Sequence, residues 1–293
     1  MQKYSIQHNN WSRRHFLKCL PLSAFAIVGC NQQTHKFSNK IDTLEKVTQS
    51  GVLRAGYFVE PPAVMKDPNS GELRGSYVGA IKTIAAELGV KVDFIEVDLA
   101  RFAAGIQNDL YDVSIGSTFR TIKRSRVVAF TDTIYYLGFA GVTPKGRGDE
   151  FRTEADVNRK GVRVALKEGA ALQTYAKERW HNPELVILTG TDLSLPLQAV
   201  SSGQADVGFI NEHTTEFYAR NHDDVEIIFK DNPILVLGMS WAVRPDDTRW
   251  LQFLNTSLEA LVSTGQMARW ERKFYGEKLR RQIIEPDAPN VQT

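Results

Sequence analysis

Residues 50–94, SGVLRAGYFVEPPAVMKDPNSGELRGSYVGAIKTIAAELGVKVDF, contain the change of period that decides the fold. Val52-Leu53-Arg54-Ala55-Gly56-Tyr57 reads as a strand. Val78, Ile81, Ile84 and Leu88 then recur at helical spacing, Gly89 stops that helix, and Val90, Val92 and Phe94 alternate as a second strand. Strand, helix and strand in succession predict α/β architecture with a parallel sheet covered by helices.

The same alternation continues outward. Phe102 and Ile106 suggest a short helix before a strand at Val113 to Ile115. After the turn-rich connection Pro144-Lys145-Gly146-Arg147-Gly148 a second, similar block begins. There Val162, Val164 and Leu166 alternate, Ala170 to Trp180 reads as helix, and Val186 to Leu188 as a short strand. Leu197 and Val200 suit a helix before a strand at Asp206 to Ile210, and Val225, Ile227 and Phe229 alternate again. Trp250, Leu254, Leu258 and Leu261 form an apolar helical stripe. Two α/β blocks joined by a connection predict two lobes and a cleft, the usual place for a small ligand. Many enzymes and binding proteins share that layout, so pattern alone assigns no activity.

The N-terminus carries an address. Ser12-Arg13-Arg14-His15-Phe16-Leu17-Lys18 has the form of a twin-arginine leader, built on Arg13 and Arg14. The apolar run from Leu20 to Val28 is about half the length of a bilayer-spanning helix. Ile27-Val28-Gly29-Cys30 resembles the lipobox cut by lipoprotein signal peptidase, which implies a mature chain beginning at an acylated Cys30. Residues 30–40 then form the lipidated cysteine and a polar spacer.

Composition narrows the partners. Of 36 basic and 34 acidic residues in the whole chain, Lys3, Arg13, Arg14 and Lys18 lie in the leader, which leaves 32 bases against 34 acids. A near-neutral body without a basic stripe argues against nucleic acid. Cys19 and Cys30 are the chain's two cysteines, so disulfides are excluded from the body and packing must stabilise it. Its four histidines, His35, His181, His213 and His222, are dispersed. His213 beside Glu212 or Glu216 lacks metal-ligand spacing, and neither metal nor cofactor is expected.

The order of these segments resembles the extracytoplasmic solute-binding proteins of the polar-amino-acid type (family 3), which feed ABC importers. The likeness runs from about Leu44 to Gly276. It is carried by residues 50–94 together with YDVSIGSTFRTIKRSRVVAFTDTIYY (111–136), SSGQADVGFINEHTTEFYARN (201–221) and ARWERKFYG (268–276). The resemblance implies a two-lobed periplasmic-binding-protein fold of type II, the Venus flytrap. Lobe one would comprise residues 41–141 plus 241–285, lobe two residues 142–240, with a tail over 286–293. The lobes would be joined by crossings near Gly138 to Thr143 and Leu237 to Val243, where Gly138, Gly141 and Gly238 would absorb the change of dihedral on closure.

By the same resemblance Ser117, Thr118 and Arg124 match positions that grip an α-carboxylate, and a guanidinium suits that task through its planar fork. Read without the family, Arg124 is a solvated charge among Arg120, Lys123 and Arg126. The second half of the amino-acid grip departs from the pattern. Lys167-Glu168-Gly169-Ala170-Ala171 stands where relatives carry Lys-x-Gly-Thr-Thr, so Ala170 and Ala171 lack the threonine hydroxyl. Asn211 replaces the aspartate that receives an ammonium. Glu60 falls where relatives stack an aromatic; it either receives a cationic group from the opposite lobe or stands as a rim carboxylate. Leu99 is a wall residue or core.

The resemblance implies a monomeric, lipid-anchored receptor outside the cytoplasm, with a small-molecule solute and ABC importer membrane subunits as partners and no catalytic residue. The alternative is a lyase like cyclohexadienyl dehydratase on the same fold, with Glu60 or Glu168 as its acid, or a sensory or accessory binding protein. For the tether, mass spectrometry of membrane-fraction protein should find an acylated N-terminal Cys30, and Cys30→Ala should release folded, soluble protein. An intact Met1 on the membrane-bound protein would contradict it.

Overall fold

The computed structural model describes residues 42–276. Helix α1 (Thr43–Ser50) starts at Asp42, whose side chain accepts the Glu45 N–H at 2.8 Å, and ends at Gly51 in the left-handed conformation. Strand β1 (Val52–Tyr57) follows, then a short hairpin, β2 (Met65–Lys66) and β3 (Leu73–Arg74). Helix α2 (Ser76–Glu87) begins after Gly75, at φ +133°, where an added Cβ would sit 2.1 Å from the Ala63 carbonyl oxygen. Only glycine fits that approach.

The next elements are β4 (Lys91–Glu96), α3 (Phe102–Gln107), β5 (Val113–Phe119), the single turn α4 (Ile122–Ser125), β6 (Ala129–Phe130) and β7 (Tyr135–Pro144). Then come α5 (Glu154–Val157), β8 (Arg163–Lys167), α6 (Ala171–Arg179), β9 (Glu184–Leu188), α7 (Leu195–Ser201), β10 (Val207–Asn211), α8 (Glu212–Arg220) and β11 (Val225–Ile228). Strand β12 (Ile234–Val243) and helices α9 (Thr248–Ser263) and α10 (Gln266–Tyr275) complete the described chain.

The main sheet runs β4-β1-β5-β12-β7-β10-β8-β9, with β6 and β11 at its side. As the alternating pattern predicts, both wings are parallel: β1 pairs with β4 and β5, and β8 with β9 and β10. The centre differs, because β12 runs antiparallel to β5 and β7, and β7 antiparallel to β10. These two ten-residue strands carry the chain from one wing to the other and back, so they run against the strands they join.

Core and site are separate in this layout. The predicted α9 stripe, Trp250, Leu254, Leu258 and Leu261, is buried, and Trp250 Nε1 donates to the Asp112 carbonyl at 3.0 Å. Gly138, Gly141 and Gly238 do lie on β7 and β12, but none has positive φ. An added Cβ would meet Pro233 Cβ at 2.5 Å, the Gly208 carbonyl oxygen at 2.7 Å and Thr133 Oγ1 at 2.8 Å respectively. Close packing therefore requires glycine at all three.

The C-terminal ends of the wing strands meet one another across the middle of the sheet. The loops after β1, β4, β8 and β9 and the ends of β5 and β10 converge there, the position at which open α/β sheets hold ligands.

Candidate functional site

The loop after β1 delivers Glu60. Its backbone closes on Val64 in both directions, Glu60 N–H to the Val64 carbonyl at 2.8 Å and Val64 N–H to the Glu60 carbonyl at 2.9 Å, which fixes the direction of the side chain. Glu60 is 2% exposed. Oε2 accepts the Ser117 backbone N–H at 2.7 Å, and Oε1 accepts the Asn211 side-chain amide at 2.9 Å, from the other wing. The reading as a rim carboxylate is thereby overturned. Asn211 cannot reverse its amide freely, since its Oδ1 caps α8 by accepting the Thr214 N–H at 3.0 Å. Burial pushes the Glu60 carboxyl up to about 7, against the lowering effect of the Ser117 and Asn211 hydrogen bonds.

Arg124 comes from the short turn α4, capped by Thr121. Arg120, Lys123 and Arg126 around it are exposed, but Arg124 turns inward. Its guanidinium donates to the Phe119 carbonyl at 2.8 Å and, across the wings, to the Gly169 carbonyl at 2.7 Å, with the Phe102 ring centroid 5.4 Å away. Desolvation pushes it down to about 10. A guanidinium has five N–H donors, so three remain beyond these two carbonyls.

Gly169 is itself part of the junction. At φ +76°, a Cβ there would lie 2.6 Å from Ala100 Cα on the opposite wing. Ala170 and Ala171 follow as the N-cap and first residue of α6, both buried and without hydroxyls.

A set of contacts that the sequence did not reveal joins the wings beside this pair. Asp98 Oδ2 accepts the Gly190 N–H at 2.8 Å and lies 3.5 Å from the fully buried Lys167 Nζ. Desolvation lowers the pKa of Lys167, and Asp98 counters it. Thr191 Oγ1 donates to Glu96 Oε1 at 2.6 Å. Val59 bridges to the loop after β9, donating to the Thr191 carbonyl at 2.9 Å and accepting the Leu193 N–H at 2.8 Å. A lysine closing a strand whose interior residues are apolar was the visible sign.

The remaining candidates fall differently. Thr118 is buried, and its hydroxyl donates to the Gly116 carbonyl at 3.4 Å within its own strand. Leu99 is buried within the hydrophobic core. His213 packs edge-on to the Tyr135 and Tyr275 rings and is pushed by desolvation down to about 4, the state of a neutral packing residue. Among the described residues no group of three His, Cys, Asp or Glu is placed to hold a metal, and no helix is long and apolar enough to cross a membrane. Arg13, Arg14 and Cys30 lie outside the described residues.

Residues 53–277 match the family model of bacterial extracellular solute-binding proteins, family 3. The chain belongs to that family. It is similar to the glutamate/aspartate import solute-binding protein of Escherichia coli (strain K12), 22% identical over 244 residues that cover 80% of this chain and 79% of that protein. It is also similar to the ABC transporter glutamine-binding protein of Bacillus subtilis (strain 168), 23% identical over 260 residues, 87% of this chain and 92% of that one. An ancestral amino acid-binding protein, described as a precursor of cyclohexadienyl dehydratase, shares the fold. Its crystal structure superposes with a TM-score of 0.73 at 24% identity, covering 80% of this chain and 99% of that one.

The expected type II fold is therefore present. The expected solute-binding role outside the cytoplasm agrees with that family. The Glu60 carboxylate stands on the loop after β1, and the Asn211 amide meets it from the other wing.

Burial of Glu60 has a pH signature. Between its ordinary pKa near 4.5 and about 7 the folded protein keeps a proton that the unfolded chain has released. Stability from this group is thus complete below about pH 4.5 and lost as pH rises to about 7, by on the order of 3 kcal/mol. Glu60→Gln has no proton to lose, so denaturant unfolding from about pH 5 to pH 8 should shift the stability difference toward the variant by that order. A difference that stays constant with pH would contradict the burial.

Proposed function

We propose that this chain is the membrane-tethered receptor of its uptake system, lipidated at Cys30 behind a twin-arginine leader, and that it captures a small amino-acid-like or carboxylate-bearing solute by lobe closure. Within the described residues the lobes would divide at 42–141 plus 241–276 and 142–240; residues 41 and 277–293 lie outside the described residues. The supporting observation is Arg124, a desolvated guanidinium whose protein partners are the two neutral carbonyls of Phe119 and Gly169. Its remaining donors suit both oxygens of a carboxylate, with Ser117 of β5 as the neighbouring hydroxyl. Relatives named for glutamate and aspartate, histidine and glutamine all bind solutes that carry such a carboxylate.

Closure follows from the same contacts. A solute shifts a two-state equilibrium from 1:99 to 99:1 only when it favours the closed state by about 5.5 kcal/mol, and Arg124 reaches both wings. The closed surface is then what the importer's membrane subunits meet.

A second reading, a dehydratase-like lyase, is favoured by one feature: Glu60 is a desolvated carboxyl with a pKa of about 7, suited to protonate a leaving hydroxyl. Incubation with prephenate or arogenate decides it, since product formation lost in Glu60→Gln would replace the receptor reading by the enzyme.

The receptor reading is tested by calorimetry with a panel of amino acids and simple carboxylates. Arg124→Ala should weaken binding at least about 30-fold, the equivalent of roughly 2 kcal/mol, and Arg124→Lys should recover little because an ammonium lacks the fork. Unchanged affinity in Arg124→Ala would refute the assignment.

A further inference from the structure

Glu60 and Arg124 are opposite charges that each make a contact between the two wings, and no ion pair joins them. Among the described residues no ion pair involves either side chain; each has only neutral partners. Buried charges are ordinarily paired, because an unpaired one loses its hydration without compensation. Arg124 finds its counter-ion in the solute carboxylate proposed above, and Glu60 has no such assignment.

The surroundings of Glu60 show what it accepts. From β5 comes the Ser117 N–H and from α8 the Asn211 amide, both donors. Tyr77 of α2 and Tyr275 of α10 lie near it; burial first, and the Glu60 charge second, raises both phenols, which therefore remain neutral hydroxyls. The next acid, Glu271 of α10, acts on the same two tyrosines and adds negative, not positive, charge. A carboxylate offers about four lone-pair directions, and the two hydrogen bonds use two. The donors hold the carboxylate form and burial favours the proton, and none of the groups around Glu60 supplies a cation.

We propose that Glu60 is an exchange site at which the protonated amine of the solute replaces a proton, so that capture by this cleft releases a proton to solvent. The proposal rests on the reading that Arg124 holds the carboxylate of the same solute. The exchange balances: the neutral carboxyl loses H⁺ to the buffer, its carboxylate accepts hydrogen bonds from the ammonium, and no covalent bond to the solute forms. Asn211 acts as a positioning residue, because its amide, oriented by the Thr214 N–H, holds Glu60 Oε1 toward the wing junction. The acid that receives the ammonium thus sits on the first wing.

The pH dependence follows. With Glu60 titrating near 7, its ionised fraction rises about tenfold between pH 6 and pH 8. The ammonium of a free amino acid or of an alkyl amine stays largely protonated up to about pH 8. Affinity for an amine-bearing solute should therefore rise about tenfold across those two units and level off above them.

The test is calorimetry with L-glutamine, L-arginine and 4-aminobutyrate, each beside its amine-free acid, in pairs of buffers with different ionisation heats at pH 6 and pH 8. Wild type should release close to one proton per solute at pH 6 and little at pH 8, with the tenfold gain in affinity, and should bind the amine-free acids more weakly. Glu60→Gln, with its fold checked by near-ultraviolet circular dichroism, should show neither proton release nor preference for the amine. Binding that depends on Arg124 but releases no proton from wild type overturns the exchange alone. Proton release that persists in Glu60→Gln does the same. Failure of every probe to bind overturns the solute reading and the exchange with it.

Discussion

A carboxyl group removed from water must find a cation or keep its proton, and the junction between the two wings is organised around that constraint at Glu60. The 60–64 turn locks the group's direction, Ser117 and Asn211 fix both oxygens, and the cap of α8 fixes Asn211. Each of these contacts is made by an element whose main role is structural. The end of β5 supplies a free backbone N–H, and the start of α8 needs a capping side chain in any case. The functional arrangement is thus a by-product of where parallel strands end, with glycine at residue 169 allowing the wings to approach.

Arg124 and Glu60 divide the work by their chemistry. The guanidinium stays charged even when desolvation pulls it down to about 10, so it offers a permanent positive site. The carboxyl lies near neutrality and is conditional. Asp98 and Lys167 show the contrasting solution a few residues away, where a buried ammonium is matched across the junction by its own counter-ion and contributes to holding the wings together. One pair is complete within the protein. The other two charges are left for something else to complete.

The wings were legible from the sequence because periodicity reports burial, as in β1, α2 and β4, whose change from period two to 3.6 and back survives in the structure. The antiparallel centre was less legible, since the runs at 135–144 and 234–243 are buried along much of their length and carry no alternation that fixes their direction. Arg124 was visible only through its motif; its composition matches the exposed Arg120, Lys123 and Arg126. Glu60 followed by two prolines leaves open a group facing the opposite lobe or a rim carboxylate, and nothing local says that Asn211 at the end of β10 will hold it. Gly190 with Asp98, and Thr191 with Glu96, meet through contacts distant in sequence, which a linear pattern does not encode. The departures at Ala170, Ala171 and Asn211 were legible as departures, and the structure supplies the reason the last of them matters: an amide can donate to Glu60 where an aspartate would repel it.

The central claim is that Glu60 is a buried carboxyl without a cation of its own. Carbon-13 nuclear magnetic resonance of glutamate side-chain carboxyls, with the Glu60 signal assigned by its loss in Glu60→Gln, reads this directly. The account predicts a titration midpoint near 7 in the protein alone, displaced downward when an amine-bearing solute is bound. A midpoint at the ordinary glutamate value near 4.5 in the protein alone would contradict it.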